Sequence, residues 1–105
     1  MLSRERRLRS VEVDEVLSLG RSVRGGHLSM KFLQKQGPFR FVAVVPKAVA
    51  RKATQRNKLR RAAYDSFPTA PLSLRGHAVL FVRTIPPQSL RTVFREEIAA
   101  LLKKI

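Results

Sequence analysis

Residues 39–67 read FRFVAVVPKAVARKATQRNKLRRAAYDSF. From Phe39 to Val45 the run is apolar on both faces after Arg40, and Pro46, which cannot donate to a sheet ladder, ends it. The segment therefore reads as a strand covered on both sides. Lys47 to Lys52 follows as a basic loop, and the spacing predicts a helix from about Ala53 to Ser66, stopped by Pro68. On that helix Leu59, Ala62, Ala63 and Phe67 can pack inward while Arg56, Lys58 and Arg60 point elsewhere. A strand running through a basic loop into a basic helix makes the chain a mixed α/β protein.

Working towards the N-terminus, Leu28 to Leu33 alternates, with Leu28, Met30 and Phe32 on one side and Ser29 and Lys31 on the other. Gln36-Gly37-Pro38 marks a turn, so this strand and Phe39–Val45 are expected to form an antiparallel hairpin whose second strand is central. Ser10 is expected to cap a helix running to about Leu19, with Glu12, Asp14 and Glu15 at its positive end and Gly20 at its stop. Val13, Val16 and Leu17 share one face of it. Residues 1–9 read as a basic arm with little fixed structure. Towards the C-terminus, Thr69 to Gly76 is a loop and Ala78 to Val82 is an apolar strand interior to the sheet. Ser89 caps a last helix whose stripe is Leu90, Val93, Phe94, Ile98, Leu101 and Ile105. The expected architecture is one 105-residue domain, an α/β (α+β) sandwich of order αββαβα with three or four strands.

Charge narrows the partner. Twenty-two Lys and Arg face seven Asp and Glu, a formal +15 that disfavours compaction unless a polyanion neutralises it. No acid lies between Val16 and Tyr64, and seven of the twelve cations in that window fall within Lys47 to Arg61. A merely soluble surface would mix the signs. Nothing approaches the roughly 18 apolar residues of a membrane span, so a membrane partner is not expected. The opening residues lack the apolar run of a secretory signal, and the absence of cysteine excludes disulfides and thiolate chemistry, which suits a cytoplasmic location.

Enzyme motifs are missing, and no catalytic or metal-binding side chain is expected. His27 and His77 have no carboxylate near them in sequence and read as structural. Glu96 and Glu97 are adjacent, so a helix turns them about 100° apart, and they read as solvated surface. The basic cluster is different. Arg51 and Lys52 stand before a helix N-terminus, where cations oppose the helix dipole unless an anion is bound there. Arg56 and Arg60 stack one turn apart, and Asn57 offers a donor and an acceptor for a base edge or a ribose hydroxyl. Lys47, Arg51, Lys52, Arg56, Asn57, Lys58, Arg60 and Arg61 are thus the expected RNA-binding residues. A second surface, a groove lined by Val13, Leu17, Ser29 and Lys31, is expected beside the first helix.

Val44 to Arg61 resembles the signature of the bacterial ribonuclease P protein subunit: an apolar strand, a basic loop, then Arg56-Asn57-Lys58 and Arg60-Arg61 on a helix. Arg7-Leu8-Arg9, Gly20-Arg21-Ser22-Val23 and Val79 to Arg83 resemble further stretches of that family. The resemblance implies a mostly antiparallel sheet with a left-handed β-α-β crossover, against the usual right-handed rule. It implies a catalytic RNA as partner, precursor tRNA as substrate, and removal of the 5′ leader by the RNA with Mg²⁺. The protein would hold no cofactor of its own and need no protein partner. The motif helix would contact the catalytic RNA, and the groove would guide the single-stranded leader. This chain departs at Pro46, at Ala48, and at Val13, Leu17 and Lys31, which stand where the family carries groove aromatics. Leader contact is therefore expected to lean on charge, through Lys31 and Arg60. The rival readings are a ribosomal-protein-like module that binds structured RNA without a role in cleavage, and a stand-alone nuclease, which the lack of a carboxylate cluster disfavours.

Overall fold

The structure, a computed structural model, describes residues 8–67, 75–87 and 89–104. Its elements are α1 (Ser10–Leu19), β1 (Arg21–Arg24), β2 (Leu28–Leu33), β3 (Arg40–Val44), α2 (Ala53–Asp65), β4 (His77–Val82) and α3 (Leu90–Lys104). The αββαβα order holds with one short strand, β1, added after α1. The expected arm over residues 1–7, the stop at Pro68, the loop from Thr69 to Leu74 and the stripe's last residue, Ile105, lie outside the described residues.

The sheet order is β1-β2-β4-β3. β1 and β2 are antiparallel, β2 and β4 are antiparallel, and β3 runs parallel to β4. This corrects the expected hairpin: β2 and β3 do not pair, and β3 is an edge strand rather than a central one. The reason lies in β4, whose Ala78, Val79, Leu80 and Val82 are all buried. A strand apolar on both faces is most stable between two neighbours, and β4 takes the place between β2 and β3. The hairpin is instead β1–β2, closed where Arg24 pairs with Ser29 and the Gly25 N–H donates to the Leu28 carbonyl at 2.8 Å.

Period-two alternation divides the sheet into two faces. Leu28, Met30, Phe41, Ala43, Ala78, Leu80 and Val82 join Leu59, Ala62 and Ala63 of α2 and Phe94, Ile98 and Leu101 of α3 in the main core. The inward residues expected of α2 are all buried, those of α3 are buried at Phe94, Ile98 and Leu101 and half-buried at Leu90 and Val93, and the rings of Phe41 and Phe67 stack with centroids 3.5 Å apart. Among the described elements, the other face carries α1 alone. There Leu8, Val16 and Val79 are buried, with Val13, Leu33, Val42, Val44 and Phe81 packed around them. Leu8 therefore belongs to the fold rather than to a loose arm. Arg9, not Ser10, is the N-cap of α1, and its N–H donates to the Glu12 carboxylate at 2.8 Å.

One helix cannot cover a four-stranded sheet, so part of the α1 face stays open beside β1 and β2. Because β3 and β4 are parallel and Val44 pairs with Phe81, the loop after β3 and Arg83 after β4 emerge at the same end of the sheet. No helix among the described residues is long and apolar enough to cross a membrane.

Candidate nucleic-acid interface

The loop between β3 and α2 turns on Pro46, whose carbonyl accepts from the N–H groups of Val49 and Ala50 at 3.0 and 3.3 Å. Ala50 is buried and anchors the turn, which leaves Lys47, Arg51 and Lys52 exposed. Lys52 is the N-cap of α2, makes no side-chain cap bond, and is followed by no acid in the first turn. The opening N–H groups of α2 thus present uncompensated positive charge together with Arg51 and Lys52. Arg56 folds back across this end: its Nη1 donates to the carbonyls of Ala50 at 3.0 Å and Arg51 at 2.6 Å. It is half-buried and fastens the basic loop to the helix. Arg60 Nη1 donates to Asn57 Oδ1 at 3.0 Å, while Lys58 and Arg61 are exposed on other sides of α2. Among the described residues, none of these seven cations pairs with a carboxylate.

The open part of the α1 face is a cleft of about 390 Å³ lined by Leu17, Ser22, Arg24, Ser29, Met30, Lys31, Phe81 and Arg83. Three of the four expected groove residues, Leu17, Ser29 and Lys31, meet there. Val13 does not line it; its side chain packs into the small core beneath α1. Lys31 Nζ donates to the Leu17 carbonyl at 2.9 Å, so this cation caps the C-terminal end of α1 while forming part of the wall. The reading from sequence missed Arg24, Phe81 and Arg83. Strand periodicity could have found the last two, since residues 79, 81 and 83 alternate onto one face. Arg24 carries no such signal, because Arg21-Ser22-Val23-Arg24 holds a single apolar residue and lacks the pattern of a strand.

Four acids, Glu12, Glu15, Asp65 and Glu97, tie elements of the fold together. Glu12 meets Arg40 at 3.5 Å and His77 at 3.7 Å, and Glu15 meets Lys35 at 2.5 Å, which tie α1 to the sheet and its following loop. Asp65 pairs with Arg91 at 2.6 Å between α2 and α3. Glu97 accepts from the backbone N–H groups of His27 at 2.7 Å and Leu28 at 3.1 Å, and bonds the His27 ring at 2.5 Å. Glu97 is therefore not solvated surface, and both histidines do have a carboxylate nearby in space. The Arg9 N–H, followed by His77 and Arg40, holds the Glu12 carboxyl below its ordinary range. Burial pushes Glu97 up, but the bonds from His27 and Leu28 outweigh it and leave that carboxyl low as well. Among the described residues no cluster of three or more metal-ligating side chains occurs.

Comparison with known proteins gives one consistent family. The family model described as Ribonuclease P matches residues 2–105. Among solved structures, the RNase P protein from Thermotoga maritima is 25% identical, with a TM-score of 0.76 over 94% of this chain and 96% of that one. The Staphylococcus aureus RNase P protein is 18% identical, with a TM-score of 0.77 over 94% of both chains. A mutant of the Staphylococcus aureus protein with defective mRNA degradation activity gives a TM-score of 0.82 at 17% identity, over 96% of this chain and 88% of that one. Comparison with curated protein sequences finds no significant match.

Proposed function

Because the chain belongs to the ribonuclease P protein family, we propose that it is the subunit that binds the catalytic RNA and the 5′ leader of precursor tRNA. In this reading the basic loop and α2, with Lys47, Arg51, Lys52, Arg56, Asn57, Lys58, Arg60 and Arg61, grip the structured catalytic RNA by its backbone. The cleft beside α1 receives the unpaired leader, with Lys31, Arg24 and Arg83 along its path. Hydrolysis of the phosphodiester belongs to the RNA and its Mg²⁺, and the protein works by holding and orienting RNA in the cytoplasm. No other protein is required.

One observation carries the proposal. Arg83 stands where the cleft meets the end of the sheet from which the basic loop also emerges, since β3 and β4 are parallel and in register there. Two cationic surfaces that could have lain at opposite ends of the sheet thereby reach the same end. A single RNA assembly can then engage both. The test is reconstitution at low Mg²⁺ with the matching catalytic RNA and a precursor tRNA. Restored cleavage is expected. RNA binding without any stimulation of cleavage would instead make the chain a structured-RNA-binding module, and cleavage by the protein alone would make it a nuclease in its own right.

A further inference from the structure

We infer that Phe81 is the base-stacking platform of the cleft, taking one unpaired nucleotide against its ring, while Arg24 across the sheet and Arg83 along the chain hold neighbouring phosphates. This rests on the reading of the cleft as the leader site and names the residue that grips a base.

The aromatic side chains are distributed unevenly. The chain has six Phe, one Tyr and no Trp. Phe32, Phe39, Phe41, Phe67 and Tyr64 form a connected set of ring contacts on the α2–α3 side of the sheet, and Phe94 is fully buried on that side. Phe81 stands on the opposite face. It is half-buried, lines the cleft, and has no ring partner among the described residues. One side of it packs against the small core beneath α1, which fixes the ring without covering it.

Register places charge around that ring. Phe81 pairs with Ser29, and Ser29 pairs with Arg24, so the three form a row across β4, β2 and β1 on one face of the sheet. Two strand spacings put Arg24 about 10 Å from Phe81, and Arg83 lies about 7 Å further along β4 on the same face. The residue between ring and Arg24 is a serine, which leaves space above the row. Among the described residues no carboxylate lines the cleft. A fixed ring with one arginine across the sheet and another along its own strand, open on one side, is what an unpaired nucleotide requires: a surface for the base and cations for its phosphates. A duplex, whose bases are already stacked on each other, would gain only the charge.

The absence of tryptophan makes a direct test available. Phe81→Trp introduces one indole at this position, and titration with a single-stranded oligoribonucleotide of about six nucleotides should quench its emission. An oligonucleotide with abasic sugars should bind more weakly without quenching. In the holoenzyme, Phe81→Leu should lower affinity for leader-bearing precursor about tenfold, while affinity for mature tRNA stays unchanged and Phe81→Tyr retains the leader effect. A thermal melt of each variant identifies a folding defect, and the indole then decides alone. Saturating binding without a change in emission, or a leader effect that survives Phe81→Leu but falls with Arg24→Ala, overturns the role of Phe81 and keeps the cleft. A wild-type holoenzyme to which the leader adds no affinity overturns the reading of the cleft itself.

Discussion

Arg56 and Arg61 sit on one helix with the same charge, yet the structure separates their roles. Arg56 is bonded to the carbonyls of Ala50 and Arg51, so its substitution acts first on the loop. Arg56→Ala should speed tryptic cleavage after Arg51 and Lys52 in the free protein, and Arg61→Ala should not. Equal rates would mean those two carbonyl bonds do not hold the loop. Arg61, exposed and unpaired among the described residues, should act on RNA alone: Arg61→Ala is expected to reduce the slope of log affinity against log salt by about 1. Glu97 gives a prediction of the opposite kind. Its carboxyl is held low in the fold, so its stabilisation is complete above the ordinary value of 4.5 and is lost as pH falls through the lower folded value. Glu97→Gln should cost about 1–3 kcal/mol near neutral pH, read as a lower Tm, and the gap to the parent should close in acid. A gap that stays constant down to about pH 3 would show that the charge of Glu97 is not what matters.

Between elements, the junction of α1 and β1 is the tightest place. A Cβ on Gly20 would lie 2.4 Å from the Val16 carbonyl oxygen and 3.2 Å from that of Phe32, both backbone atoms. Gly20→Ala should therefore shift α1, cost on the order of 2–3 kcal/mol, and weaken leader binding more than binding of the catalytic RNA. Unchanged melting would show that the turn can give way. The helices were legible in the sequence because each has a one-sided apolar stripe, and α2 with its cations was legible down to its inward residues. The sheet was less so. Gln36-Gly37-Pro38 is a good local turn signal, but pairing is decided by burial, and β4, some forty residues away in the chain, takes the place beside β2 that the turn alone would assign to β3. β1 was hidden because three of its four residues are polar and exposed or nearly so. Missing β1 also hid Arg24, and with it one wall of the cleft.

For the molecule as a whole, Glu12, Glu15, Asp65 and Glu97 are committed to internal ties while the cations of the basic loop and α2 stay unneutralised by carboxylates among the described residues, so +15 is a standing strain on the free protein. Millimolar sulfate should raise its Tm by several degrees more than sodium chloride at equal ionic strength, because a bound anion stabilises only the folded form. Identical shifts would reduce the effect to screening. The strand order has a consequence for biosynthesis as well. The central strand, β4, is the last to be made, and it supplies the surface on which both α1 and the β3 edge must settle. A chain emerging from the ribosome can close the β1–β2 hairpin early, but β2 and β3 remain two separate edges until residue 82 is clear. Through most of its synthesis this polypeptide is therefore an unassembled, strongly cationic segment emerging beside ribosomal RNA, and its final shape arrives almost at once when the last third is complete.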